Sequence, residues 1–338
     1  MSTYRAFEVT ESRQFRLVER EIREPEPGQV RLRVEACGVC HSDAVAAEGW
    51  RADPGTPIVP GHEIVGVIDA VGAGVWGWQV GDRVGVGFLG GQCGHCESCR
   101  RGDFVNCSDQ PQTGTTVDGG YAEVVYVRSS GLVGLPKGLG ALAAAPLLCA
   151  GLTMYRALGR LSVRPGGLVA IQGIGGLGHL GLRYAAHLGH RVAAIARGEG
   201  KAELARHLGA DHYIDSTVED PGQALRALGG ADAIIATASS GASMNGLVTG
   251  LAPQGQLMVV GATADPMTVA TTDLIFGTRS IGGTLTGTSI ENEDNLAFAQ
   301  RQGIQPLIEV MPLWEAPAAY TRMMSGQARF RVVLDTTA

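Results

Sequence analysis

The chain has 338 residues, enough for two domains that each bury a core. Its 45% hydrophobic and 18% charged residues are those of an ordinary globular protein, and its 50 glycines follow no three-residue period, which excludes a collagen-like fibre. Lys and Arg number 27 against 33 Asp and Glu, a net charge of −6 without a basic stripe, which excludes nucleic acid and anionic membrane as expected partners.

No apolar run approaches the roughly 18 residues needed to span a bilayer. The segment Met1-Ser2-Thr3-Tyr4-Arg5 lacks the apolar core of a signal peptide, so a cytoplasmic protein is expected. In that reducing compartment the seven cysteines read as metal ligands or catalytic thiols rather than disulfides.

Residues 1–36 alternate in the manner of strands, as in Phe15-Arg16-Leu17-Val18-Glu19 and Val30-Arg31-Leu32-Arg33-Val34-Glu35, split by a turn at Pro25–Gly28. A loop at Cys40 opens a short helix. A proline bend (Pro54, Pro57, Pro60) then leads to Gly61-His62-Glu63 and an apolar strand, Ile64–Val71. Gly81-Asp82-Arg83-Val84 turns into a further strand, so this half is β-rich with barrel-like spacing. Cys93, Cys96, Cys99 and Cys107 follow C-x2-C-x2-C-x7-C, a spacing that lets four thiolates close a tetrahedron around structural zinc. An iron–sulfur cluster is the alternative, disfavoured by the seven-residue gap and the lack of a following proline. His95 reads as a solvent-facing loop residue and Cys37 as a buried thiol.

After Gly119-Gly120-Tyr121-Ala122-Glu123 and a strand through Val127, Ala141–Leu158 reads as a helix with Cys149 near its start. Strands Leu168–Gln172, Arg191–Ala196, Ala231–Ala236 and Gln256–Val260 alternate with helices Leu177–Leu188 and Lys201–Leu208, which predicts a doubly wound parallel sheet. Beyond about 288, helix Glu291–Arg301, strand Ile308–Met311, helix Ala316–Met324 and strand Phe330–Leu334 are expected to return to the first domain.

Gly173-Ile174-Gly175-Gly176-Leu177-Gly178 matches G-x-G-x-x-G between a strand and a helix, the context of a dinucleotide site. Gly173 permits the tight turn, Gly175 lets backbone approach a pyrophosphate, and Gly178 allows close helix–strand packing. An NAD site should offer Asp or Glu to the ribose about 20 residues on. Here that position is Ala196, followed by Arg197, whose guanidinium suits a 2′-phosphate. NADP(H) is therefore favoured over NAD(H), with Glu199 as the remaining acid able to reach the ribose. The histidines His179, His187, His190, His207 and His212 read as surface or helix residues.

Cys40, His62 and Cys149 supply two thiolates and an imidazole, a three-ligand zinc set that leaves a fourth position open. Zinc there would act as a Lewis acid on an alcohol or carbonyl oxygen. Ser42 is placed to take the alcohol proton, and Asp43 to hold the His62 ring. Their plainer readings are a helix cap for Ser42 and a solvated first-turn acid for Asp43.

Cys37-Gly38-Val39-Cys40-His41-Ser42-Asp43, Gly61-His62-Glu63, the 93–107 cysteines, Leu147-Leu148-Cys149-Ala150-Gly151-Leu152-Thr153 and the glycine fingerprint together resemble the zinc-dependent alcohol dehydrogenases of the medium-chain dehydrogenase/reductase family, over essentially the full length. The resemblance implies an α/β chain with a GroES-like β-rich catalytic domain (1–152 and 288–338, its structural zinc lobe at 93–107) and a Rossmann domain (153–287), with the active site in the cleft between them. It implies two zinc ions per chain, a small alcohol or aldehyde as substrate, and a homodimer or homotetramer. It places His41 near the pyrophosphate, Glu63 near the catalytic zinc, Thr153 and Leu177 beside the nicotinamide, and Trp50 and Phe88 in the substrate pocket.

Two departures stand out. Many relatives carry a histidine three residues after the relay hydroxyl, where this chain has Val45, and Ala196-Arg197 moves it toward NADPH-dependent aldehyde reductases of the cinnamyl-alcohol type. Reduction of a conjugated C=C or C=N bond is the rival within the family. A non-catalytic zinc- and nucleotide-binding module is the rival outside it, disfavoured because such a module needs no open metal position.

Overall fold

The computed structural model describes residues 2–51, 53 and 55–338; Met1 of the amino-terminal segment and Pro54 of the proline bend lie outside the described residues. The chain divides into two compact units, Met1–Leu152 with Thr286–Ala338, and Thr153–Leu285.

The first unit begins with β1 (Thr3–Val9), β2 (Phe15–Glu21) and β3 (Gln29–Val39). A 3-10 turn (His41–Asp43) and α1 (Ala44–Ala47) follow, then β4 (Glu63–Val71), β5 (Arg83–Val86), α2 (Glu97–Arg100), β6 (Val124–Arg128), β7 (Leu132–Gly134) and α3 (Ala141–Ala144). After a second 3-10 turn (Ala145–Leu148), α4 (Ala150–Gly159) carries the chain into the second unit. There the elements are β8 (Leu168–Gln172), α5 (Gly178–His187), β9 (Arg191–Ala196), α6 (Ala202–His207), β10 (His212–Asp215), α7 (Pro221–Ala227), β11 (Ala231–Ala236), β12 (Leu251–Val259), α8 (Thr271–Ile275) and β13 (Ser280–Gly283). Finally α9 (Ser289–Gln302), β14 (Ile308–Pro312), α10 (Ala316–Met324) and β15 (Arg331–Asp335) belong to the first unit.

The main sheet of the first unit runs β14-β15-β3-β4-β5-β7, with β6 also on β3. The tail joins it directly, since β15 pairs antiparallel with β3 through Val332↔Val39 and Val333↔Gly38. The alternation along β3 sends Val30, Leu32 and Val34, and past a register irregularity between Val34 and Ala36 also Cys37, into a core closed by Tyr121, Leu334 and the α10 residues Ala316 and Ala319. The second unit is a six-stranded parallel sheet ordered β10-β9-β8-β11-β12-β13. β8 is buried at every residue, as a central parallel strand covered on both faces must be.

The structure corrects the reading of 141–158 as one helix. It breaks at Cys149, the flanking segments meeting at 49°, so the cysteine sits in the break, immediately before α4, and not inside one continuous helix. Pro146 accounts for the change from α3 to the 3-10 turn at Ala145, because it lacks an N–H and its ring crowds the preceding turn. Two edge strands, β10 and β13, were not expected; His-Tyr-Ile-Asp is only four residues long despite its Tyr and Ile, Ser-Ile-Gly-Gly carries little strand propensity, and sheet pairing defines both. β12 starts five residues before Gln256, and an irregular register between Ala231 and Ala233 accommodates its Pro253–Gly255 kink. Among the described residues no single helix is long and apolar enough to cross a membrane.

Candidate active site

Three segments of the first unit deliver the site. Cys40 follows β3 in extended conformation before the 3-10 turn. Gly38↔Glu63 pairing in the β3–β4 ladder carries His62 to the same end of the sheet. Cys149 comes from the helix break. The ligand atoms of Cys40, His62, Glu63 and Cys149 all lie within 4.8 Å of one another, and all four residues are buried. The structure thus brings together the three expected ligands, with Glu63 among them.

The surroundings orient His62. Its Nδ1 lies 2.9 Å from Asp43 Oδ1. The other carboxylate oxygen, Oδ2, accepts from the Cys40 backbone N–H and from the Tyr121 hydroxyl, each at 2.9 Å. Nε2 is left buried with no partner among the described residues. A buried imidazole nitrogen without a partner, facing two thiols, is the donor set of a metal site. Phe88 packs edge-on against the ring at 5.2 Å.

The electrostatics agree. The Cys40 thiol is driven well below its ordinary range, first by its bond with Cys149 and also by the His62 cation, against the effect of burial. The same bond, with burial, pushes Cys149 up. Burial opposes charge on His62, yet the Asp43 carboxylate and the Cys40 thiolate outweigh it and raise its pKa. Burial lifts the Glu63 carboxyl to about 8 in spite of the Arg331 guanidinium, and the Cys40 thiolate adds to that lift. Such a set gathers protons in the absence of a cation and would release them to one. Backbone geometry is tuned to the same end, since a Cβ on Gly38 would lie 1.9 Å from Glu63 Oε2.

The second cluster is built on the loop around α2. Cys93 Sγ and Cys99 Sγ are 3.9 Å apart, and Cys96 Sγ and Cys107 Sγ 4.0 Å. Four sulfurs at ~2.3 Å from one ion would be about 3.8 Å apart. Backbone amides point at the sulfurs, with Cys93 N–H on Cys107 Sγ, Cys96 N–H on Cys93 Sγ and Cys99 N–H on Cys96 Sγ. The Cys99 and Ser108 amides bring Cys96 down to about 5, while burial pushes Cys99 up to about 12. His95 is exposed, its Nδ1 on the Cys93 carbonyl, outside the sulfur set.

In the second unit the fingerprint spans the turn from β8 to α5. Gly173 takes φ +90°, and a Cβ on Gly178 would fall 1.8 Å from the Gly173 carbonyl oxygen. A Cβ on Gly175 would meet nothing within 4 Å, which leaves that backbone open to a ligand. Gly176 and Leu177 complete the turn, both half-buried. Ala196 ends β9 buried, and Arg197 is exposed beside it. His179 of α5 is fully buried, its Nδ1 on the Gly175 carbonyl.

Sequence reasoning missed two residues here. Lys201 donates from Nζ to the Ile174 carbonyl at 2.7 Å, tying the Arg197 turn to the fingerprint. Asp215 accepts from Gly198 N–H at 2.7 Å and from Thr217. It also missed the roles of Tyr121 and Arg331. For Arg331 a signal existed, a charge opening the apolar strand Arg-Val-Val-Leu.

A family model for the alcohol dehydrogenase GroES-like domain matches residues 26–137, and one for zinc-binding dehydrogenases matches residues 176–301. The chain is 42% identical over 310 residues to alcohol dehydrogenase notN of Aspergillus sp. (strain MF297-2), covering 92% of this chain and 91% of that protein. It belongs to the zinc-type medium-chain alcohol dehydrogenases. Among solved structures, a cinnamyl alcohol dehydrogenase of Sorghum bicolor superposes with TM-score 0.90 at 32% identity over 100% of this chain and 98% of that one. CAD from Helicobacter pylori, complexed with NADP(H), gives TM-score 0.87 at 28% identity, covering 99% and 98%.

In this alcohol dehydrogenase His41 and Ser42 are exposed on the 3-10 turn, while Asp43 is buried beneath them. Trp50 is 66% exposed after α1, apart from the buried cluster, and Phe88 is half-buried against His62. Thr153 is buried within α4.

Proposed function

We propose that this alcohol dehydrogenase is zinc-dependent and interconverts alcohols and aldehydes with NADP(H). The observation that carries the proposal is the convergence of Cys40, His62 and Cys149 with an unpartnered His62 Nε2. Zinc held by these three would supply Lewis-acid polarisation of the substrate oxygen, and a bound nicotinamide would exchange the hydride. Asp43 keeps the proton on His62 Nδ1, which reserves Nε2 for the metal. Ser42 Oγ takes the alcohol proton and, being exposed, passes it to water without the histidine that Val45 replaces. Phe88 packs against the His62 ring and helps fix its orientation.

The four-cysteine lobe would hold the second zinc. NADP(H) is supported by Arg197 next to Ala196 and by the NADP(H) complex of the Helicobacter pylori relative. A homo-oligomer is supported by β13, an edge strand exposed at every residue, flanked by exposed Phe276 and Leu285; Ile281→Lys should lower the mass seen in light scattering.

The deciding experiment follows nicotinamide absorbance with NADPH and NADH against aldehydes, ketones and enals, alongside metal analysis. Two zinc ions per chain and aldehyde reduction preferring NADPH are expected. Conversion of an enal to the saturated aldehyde rather than the allylic alcohol, separated by chromatography, would favour the C=C reading, and no turnover by a metal-replete protein would leave the binding-module reading.

A further inference from the structure

The third ligand poses a problem that the other two do not. Cys40 and His62 follow and precede paired strands, whereas Cys149 hangs in a helix break between the 3-10 turn Ala145–Leu148 and α4. Where a helix ends, its last carbonyls lose their intrahelical donors, and a break in a buried place needs partners from elsewhere.

They come from α9, more than 140 residues downstream. Asn292 Nδ2 donates to the Leu148 carbonyl at 2.9 Å, and Asn295 Nδ2 to the Leu147 carbonyl at 3.0 Å. These are the two residues immediately before Cys149. Asn295 Nδ2 also donates to Asn292 Oδ1 at 3.1 Å, so the two amides act as one clamp. Gly87 lies against the same bond, since a Cβ there would fall 3.0 Å from the Leu148 carbonyl oxygen and 3.5 Å from Asn292 Nδ2. Both asparagines are fully buried on a face they share with Leu296 and Ala299, where an unpaired amide would be costly. The helix that carries them is itself fastened: Gly134 N–H donates to Glu293, Ser289 to the Ser130 carbonyl, and Gln300 to the Lys137 carbonyl.

We propose that Asn292 and Asn295 are positioning residues for Cys149, holding the carbonyls of the helix break so that its thiol stays in ligand range of Cys40 and His62. The inference rests on the zinc reading of that cluster. A metal site tolerates little displacement of its ligands, and groups that orient ligands are worth about tenfold to a hundredfold in metal affinity.

The test compares Asn292→Ala, Asn295→Ala and the double variant with Leu296→Ala, which removes a buried side chain from the same helix without touching either carbonyl. Zinc release to a chromogenic chelator and the visible spectrum of the cobalt-substituted protein are read together with Tm. Wild type should hold two ions per chain; if it holds none at the Cys40 cluster, the zinc reading fails and this inference with it. With wild type loaded, the asparagine variants should release one ion about ten to a hundred times faster and shift the cobalt–thiolate bands. Leu296→Ala should lower Tm with wild-type release and spectrum. Asparagine variants that merely lose Tm in the manner of Leu296→Ala would overturn the proposal. If the double variant does not fold, the single Asn292→Ala decides on the same two readouts.

Discussion

Arg331 and Glu63, 268 residues apart in the chain, meet at 2.5 Å with both side chains buried. The strand order β15-β3-β4 brings them together: Val332 pairs with Val39 on one side of β3, and Gly38 pairs with Glu63 on the other. The absent side chain of Gly38 leaves room for the Glu63 carboxyl. Removing Arg331 leaves the Glu63 carboxyl, already lifted to about 8, buried without its partner, at about 1–3 kcal/mol. Arg331→Met should therefore lower stability by about that amount in denaturant unfolding. Adding Glu63→Gln should restore much of it, because the second change removes the stranded group. Additive losses in the double variant would contradict a coupled pair.

The two cysteine clusters should separate function from stability. On the proposed zinc assignment, Cys149→Ser takes away a ligand of the buried site, so turnover should disappear and metal content fall from two ions to one with the fold retained. Cys96→Ser opens the four-sulfur set, and closed structural sites contribute folding free energy directly. Its main effect should be a lower Tm and loss of the other ion. Retained activity in Cys149→Ser, or an unchanged Tm in Cys96→Ser, would reverse the respective assignment.

Much of this was legible in the sequence where spacing is short. The C-x2-C-x2-C run and G-x-G-x-x-G declare themselves because neighbouring residues must converge on one ligand. The strands Leu168–Gln172, Arg191–Ala196 and Ala231–Ala236 were legible at their boundaries, since buried parallel strands are continuous apolar runs. Helix α9 was expected over Glu291–Arg301 and runs from Ser289 to Gln302, lengthened at its start by the capping box of Thr288 and Glu291 and ended by Gly303. What escaped depends on tertiary pairing. No local pattern relates Arg331 to Glu63, or Tyr121 to Asp43, and β13 is a strand only because β12 lies beside it. α7 escaped despite a signal, Asp220-Pro221, in which Asp220 accepts from Gln223 N–H.

The turn after β9 should show a pH dependence. The amide and hydroxyl of Thr217, with the Gly198 amide, stabilise the Asp215 carboxylate and lower its pKa. A depressed folded-state pKa adds stability above the unfolded value of about 3.9, and that stability is lost as pH falls through the folded pKa. Asp215→Asn should thus be less stable than wild type at neutral pH, with the gap closing below about pH 4. The variant should also raise KM for the cofactor, since Asp215 holds Gly198 next to Arg197. A constant stability gap from pH 7 to 3 would show that the carboxylate's charge plays no part.

Arg197 should decide the coenzyme. Buried Ala196 ends β9 where an NAD-specific chain would carry an acid, and its register partner on β10 is Asp215. That neighbouring carboxylate is occupied by Gly198 and Thr217, which leaves the exposed guanidinium of Arg197 as the charge beside the strand end. A 2′-phosphate there would take a charge-assisted bond of about 1.5–3 kcal/mol, equivalent to about tenfold or more in affinity. Arg197→Ala should raise KM for NADPH by that factor and leave KM for NADH nearly unchanged. Ala196→Asp should act from the other side, repelling the phosphate and offering the ribose hydroxyls an acceptor, so that preference moves to NADH. If Arg197→Ala weakens both coenzymes equally, Arg197 supports the turn rather than reading a phosphate, and the preference for NADP(H) loses its footing.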